Sequence, residues 1–306
     1  QFWHDFGNYF IYPVPLFQEG RSKIMKHALY YKSKKFLTSA LIHIFLISVA
    51  ITCLYPLLWM IVSSLKTQDI IFKDISLIPH QFHFENYVNA LREEGFGRSF
   101  VNSLFYTSSS VFGIVIIASW AGYAFSRLRF PGRTALFYMF MAAMMIPIPA
   151  SFIPLYFLLN KLHLRDAPIG YILCMISVGL SVSIFLLKTF FDRIPRELED
   201  AARIDGCSKM GIFWHVALPF AKPVLAVVVV FNALNVWNEY ILALIIFDSR
   251  KFMPLQVALQ IFQGEFVTNY PLLMAGLTIA ALPVIIVYLL MQKYIVKEIT
   301  SGAVFG

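Results

Sequence analysis

Residues 194–223 read IPRELEDAARIDGCSKMGIFWHVALPFAKP, the one long polar stretch in the C-terminal two thirds of an otherwise apolar chain. A segment so charged cannot lie in lipid, yet its breakers and caps fall in the order of a folded unit. Pro195 suits the first turn of a helix, where a missing N–H costs nothing. Leu198, Ala201 and Ala202 then share one face, with Glu197, Glu199, Asp200 and Arg203 around the rest. Gly206 stands where a helix C-terminus favours a left-handed residue. Ser208 can cap a second helix carrying Met210, Phe213, Trp214 and Ala217, which Pro219 is expected to stop. The spacing therefore predicts a helix, a sharp turn and a helix on a membrane surface.

The composition around this segment sets the class. The 306 residues are 59% hydrophobic and 14% charged, with mean hydropathy +0.70, whereas soluble domains run near 45–50% apolar and about 25% charged. The chain reads as an all-α, polytopic membrane protein. Its net charge of +8 is spread over short loops between apolar runs, the pattern of a basic cytoplasmic face and not of a nucleic-acid binder. Cys53, Cys174 and Cys207 show no paired spacing, so neither a disulfide framework nor a zinc site is indicated. Residues 1–37 lack the short apolar core and small-residue cleavage site of a signal peptide.

A bilayer-spanning helix needs about 20 apolar residues. Six segments meet that length, at 38–65, 99–128, 134–159, 168–190, 223–247 and 272–295, which puts both termini on one side. With the N-terminus inside, the inner segments hold 17 of the 25 basic residues and the outer loops 8. The positive-inside rule therefore places 194–223 in the cytoplasm. The expected organisation is an N-terminal segment 1–37, a six-helix domain 38–297 with its cytoplasmic loop at 191–222, and a tail at 298–306. The aromatics of residues 1–20 fit either an interfacial segment or a loosely ordered extension. The largest outer loop, 66–98, has mixed charge suited to docking a soluble partner.

Two places inside the spans could carry function. Glu239 is the one acid well within a span, and Asn232, Asn235 and Asn238 make that fifth span the most polar. Two readings stand: the amides and acid satisfy one another between packed helices, or they line a hydrophilic pathway. In the third span, Pro147, Pro149 and Pro154 should break the helix near mid-membrane, either as a packing kink or beside a transport site. Met141, Met144 and Met145 read as packing. No phosphate-binding Gly-x-x-x-x-Gly-Lys-Ser/Thr loop, His-Glu-x-x-His or nucleophile elbow occurs, so this chain supplies neither an ATP site nor a hydrolase site of those kinds.

Segment 194–223 resembles the cytoplasmic signature loop of permease subunits from binding-protein-dependent ABC importers, a Glu-Ala-Ala core followed by Gly and later Leu-Pro. Here the core is Asp200-Ala201-Ala202, followed by Ile204-Asp205-Gly206 and Leu218-Pro219. Asp200 departs from the usual Glu, and Cys207 from a small residue. SLKTQDIIFKDISLIPHQFHFENYVNAL at 64–91, IPLY at 153–156, WNEY at 237–240 and ITSGAVFG at 299–306 resemble the carbohydrate-importing branch, that of the smaller maltose-type permease. Phe305 stands where that branch usually has Lys.

The resemblance implies the type I importer permease fold, non-catalytic, in a prokaryotic plasma membrane with both termini cytoplasmic. Its implied partners are a second, different permease chain, two ATPase subunits that bind ATP and Mg, an extracytoplasmic solute-binding protein and a carbohydrate. This chain itself would hold no cofactor or metal and no nucleic acid. Glu197, Glu199, Asp200, Ala201, Ala202, Arg203, Asp205, Gly206, Leu218 and Pro219 would form the ATPase-coupling segment, with Glu199, Asp200 and Asp205 pairing to basic groups of the ATPase groove. Asn235, Trp237, Asn238 and Glu239 are the pathway candidates, Trp237 for stacking on a sugar ring. An importer of a non-sugar solute and a secondary transporter working alone are the rival readings.

Overall fold

The structure is a computed structural model that describes residues 16–93, 95–263 and 268–302, with side chains described from residue 35 to 292 except 94, 148 and 264–267. The expectations for residues 1–15 and for Phe305 lie outside it. The described residues are helical and contain no strand; the lone β-bridge joins Gln263 to Thr268. The chain divides into two compact units at Trp59.

The first unit is carried by α1, Leu16–Ser63, which runs unbroken across the expected boundary at 37/38. Its Lys35–Ser63 portion has mean hydropathy 2.3 and none of that apolar window is buried within the chain. A helix apolar on every side matches lipid or other helices better than water. Within it the Ser48 hydroxyl donates to the Phe45 carbonyl and that of Thr52 to the Ser48 carbonyl.

In the second unit, α2 is Glu85–Arg92, α3 is Phe96–Arg127, α4 is Arg133–Ala143, α5 is Phe152–Lys161 and α6 is Pro168–Arg193. The polar segment holds α7, Arg196–Ile204, and α8, Lys209–Phe220. After it come α9 at Lys222–Trp237, α10 at Ile241–Ile246, α11 at Leu255–Ala258 and α12 at Tyr270–Gly302. Helices α3 and α6 pack side by side and, with α8 and α9, enclose a core of Ile114, Phe125, Leu187, Phe191, Phe213 and Val228. A second core stacks Tyr106, Tyr171 and Phe247, and a third gathers Phe96, Trp237, Phe262 and Ala275.

Among the described residues, four helical stretches are long and apolar enough to cross a membrane: Lys35–Ser63, Phe96–Arg127, Pro168–Arg193 and Tyr270–Gln292. A fifth is possible as a bent pair, since α8 and α9 meet at 74°. The expected third span is broken, as its prolines require: α4 ends at Ala143, a 3-10 turn covers Ile148–Ser151, and α5 follows. The expected fifth span is not one continuous helix but stops at Trp237 and resumes at Ile241.

Loops at the Ser99 end of α3 are latched by buried or convergent polar groups. Lys66, at the start of the loop 66–98, is 3% exposed; its ammonium donates to the carbonyls of Asp74 at 2.5 Å and Ser76 at 2.8 Å. Asp166, in the loop between α5 and α6, accepts from the backbone N–H of Asp248 at 3.0 Å, from that of Ser249 at 2.9 Å, and from the Ser249 hydroxyl. Burial pushes the Asp166 carboxyl up, but the Ser249 and Asp248 hydrogen bonds and the charge of Lys251 hold it below the usual 3.8. A depressed folded value means that the latch contributes above the unfolded value and is lost as pH falls through the lowered one. Hydrogen-exchange protection of the Asp248 and Ser249 amides should therefore be intact above about pH 4 and fall below it. Asp166→Asn should weaken that protection at neutral pH; an unaltered acid profile in that variant would refute the latch.

Candidate functional site

Helix α7 begins one residue later than the sequence suggests. Pro195 is the cap, at φ −57° and ψ 136°, and Arg196 is the first helical residue. Glu197 and Glu199 lie in the first turn, where carboxylates complement the positive end of the helix dipole. The helix closes on Gly206, at φ +85°: the Gly206 N–H donates to Arg203 at 3.0 Å and the Cys207 N–H to Ala202 at 2.9 Å, the paired bonds of a Schellman stop. Ser208 then caps α8, its hydroxyl accepting from the Gly211 N–H at 3.1 Å.

Pro219 does not stop α8, contrary to expectation. A π turn over Phe213–Ala217 widens the helix just before it. In a regular helix the proline ring would press on the carbonyl of His215, four residues back; the widened turn includes that residue and lets helix continue to Phe220. The direction changes at Ala221, the N-cap of α9.

The faces of α7 are also distributed differently. The residue turned inward is an acid: Glu199 is 4% exposed, whereas Leu198 is 38% and Ile204 87% exposed. Glu199 Oε1 lies 2.9 Å from Arg127 Nε at the end of α3. The N–H is not aligned on that oxygen, so the contact is chiefly Coulombic. The same guanidinium donates through Nη2 to the carbonyls of Phe191 and Ile194, each at 2.5 Å. Glu199 is therefore already paired within the chain and is not free to meet a partner's cation. Ala202 is half-buried, and Glu197, Leu198, Asp200, Ala201, Ile204, Asp205 and Gly206 form the outer surface. Asp200 is held by Arg203 at 2.9 Å, and Arg203 also lies 4.0 Å from Glu199. Leu218 is half-buried and Pro219 exposed.

The four pathway candidates do not converge. Trp237 is 4% exposed, meets Phe100 edge-on and donates its indole N–H to the Ala280 carbonyl at 3.0 Å, so its ring is not open for stacking. Glu239 is half-buried and accepts from the Leu242 N–H at 2.7 Å, which satisfies a donor in the first turn of α10. Asn238 is exposed and donates to the Leu234 carbonyl at 2.9 Å, and Asn235 is exposed. Asn232 is buried, donating to Ser183 at 2.9 Å and to the Val228 carbonyl at 2.8 Å. Asn232 thus joins α9 to α6 through Ser183, and its partners are not the other amides or Glu239. A cavity of about 250 Å³ lined by Ser99, Leu244, Arg250, Met253, Gln260 and Ile261 contains none of the four. Among the described residues no group of three or more His, Cys, Asp or Glu is placed to hold a metal, and the three cysteines are free thiols.

Residues 113–301 match the family described as the binding-protein-dependent transport system inner membrane component. The chain is 36% identical to a probable ABC transporter permease protein, YurM, of Bacillus subtilis, over 88% of this chain and 89% of that one. It is 30% identical to the diacetylchitobiose uptake system permease protein NgcG of Streptomyces coelicolor, over 86% and 88%. Among solved structures, a chain of a bacterial ABC transporter involved in the import of the acidic polysaccharide alginate superposes with a TM-score of 0.76 at 26% identity, covering 84% of this chain and 96% of that one.

Proposed function

This chain belongs to the binding-protein-dependent transport system inner membrane component family, and from that premise we infer that segment 194–223 is where an ATPase subunit docks. The protein is the membrane-spanning permease of an ATP-driven importer that receives a sugar or oligosaccharide from an extracytoplasmic binding protein. It is a multi-pass membrane subunit of the transport machinery. ATP and Mg belong to two partner ATPases, and a second, different permease chain completes the pathway. Six spans follow if α1, α3, α6 and α12 are joined by the broken pairs α4–α5 and α9–α10. Both termini then lie in the cytoplasm of a prokaryotic cell. The six-helix domain takes up 38–297, flanked by 1–37 and 298–306, with 191–222 as the coupling loop.

One observation carries the docking reading: α7 is anchored inward through Glu199 while Leu198, Ala201 and Ile204 face outward uncovered. Ala201 presents little bulk, so a partner groove can approach closely, and Asp200 and Asp205 supply charge at its rim. ATP closes the ATPase pair, α7 is displaced, and the spans exchange an inward-facing cavity for an outward-facing one. ATP and the loaded binding protein drive that exchange only by binding the outward form more tightly.

For the solute pathway, the exposed amides Asn235 and Asn238 are the residues offered to sugar hydroxyls. Glu239 takes part by holding the break between α9 and α10, and Trp237 by packing behind it. In proteoliposomes holding the complete complex, ATP-driven uptake should require loaded binding protein. Asn235→Ala with Asn238→Ala should raise the apparent KM for uptake about tenfold. Unchanged KM and selectivity would remove both amides from the pathway.

A further inference from the structure

We propose that Arg127 is a positioning residue for the transport cycle: with Glu199 it ties the docking helix α7 to the inner ends of α3 and α6, so that displacement of α7 reaches those two helices through one side chain. The proposal rests on the coupling role inferred above and adds the route by which the displacement leaves the coupling segment.

Arg127 is the last residue of α3. Its one guanidinium meets three different parts of the chain: Glu199 in the first turn of α7 at 2.9 Å, the carbonyl of Phe191 in the last turn of α6, and that of Ile194 in the link between α6 and α7, the latter two at 2.5 Å. The Arg127 and Glu199 side chains are 7% and 6% exposed. A buried ion pair is a poor source of net stability, since well-packed apolar residues of the same volume often do as well or better. What it supplies is direction. The planar fork of arginine holds several acceptors in one geometry, and no lysine can reproduce it. A neighbouring cluster shows the contrast: Ser126 donates to Asp192 at 2.6 Å and Lys188 to the other Asp192 oxygen at 2.6 Å. That cluster joins α3 to α6 without reaching α7. Arg127 therefore fixes α7 to a pair of helices that are already locked together.

The test measures uptake and ATP hydrolysis on the same proteoliposomes holding the complete complex, for wild type, Arg127→Lys, Arg127→Met and Glu199→Gln. Uptake should fall more than hydrolysis, raising the ATP consumed per solute about tenfold in Arg127→Met. Glu199→Gln, nearly isosteric, and Arg127→Lys should change the ratio in the same direction by less. Combining Arg127→Met with Glu199→Gln should add little to the arginine change alone, because the two act through one contact. An unchanged ratio in all variants, whether both rates persist or both fall together, would overturn the tie. A wild-type complex that takes up no solute on ATP addition would instead overturn the importer reading.

Discussion

Replacing Gly206 by valine should abolish both uptake and transport-linked ATP hydrolysis while leaving membrane insertion intact. Gly206 sits at φ +85°, and a side chain added there would meet nothing within 4 Å. The cost is thus in the backbone and not in crowding: a left-handed residue with a Cβ costs roughly 1–2 kcal/mol, and a β-branched one is a genuine outlier there. To escape, the chain must give up the Gly206 and Cys207 hydrogen bonds that end α7. The angle between α7 and α8 is then no longer fixed, and a docked partner would move α7 without carrying α8 and α9 along, a loss that the Arg127 tie to α3 and α6 does not replace. Gly206→Asn is the control, since asparagine tolerates this conformation, and it should keep most of both activities. Full activity in the valine variant would refute the fixed-angle role of the turn.

Gly179→Val should destabilise the membrane helices themselves. The Cβ would lie 2.3 Å from Asn232 Oδ1 and 2.5 Å from Ile114 Cδ1, at the place where α3, α6 and α9 converge. Overpacking a tight core costs typically 1–3 kcal/mol. Displacing Asn232 from Ser183 adds about 1–3 kcal/mol more for a buried polar group left without its partner. The readout is the thermal midpoint of the detergent-solubilised complex, which should drop clearly. Asn232→Ala in the same chain should restore part of the loss, because the two changes share one contact. A midpoint equal to wild type in Gly179→Val would show that the helices separate there at no cost.

The features legible in the sequence were those with local causes. The apolar runs, the left-handed Gly206, the Ser208 cap and the proline break before Phe152 each depend on a few neighbouring residues. What was not legible depends on partners far along the chain. Glu199 turns inward because Arg127, 72 positions earlier, waits for it, and nothing in its own helix marks it apart from Glu197 or Asp200. Trp237 faces the backbone of Ala280 and not a pathway, a choice made by the packing of α12. Pro219 departs from expectation for a different reason: a π turn absorbs a proline that a regular helix rejects. Glu239 was visible as an isolated acid in an apolar run. Its bond to the first turn of α10 follows from the break in the fifth span, which no residue near it announces.

The turn at Gly206 also bears on the order in which the protein takes shape during synthesis. The hydrogen bonds that define it reach back no more than five residues: Gly206 to Arg203, Cys207 to Ala202, Gly211 to Ser208. Closing loops this short costs little entropy, so such units form early. Arg127 lies 72 residues upstream of Glu199, so the α7 turn can find its anchor before α12 has been made. The coupling segment is in this sense a unit completed on the way, to which the later helices are added.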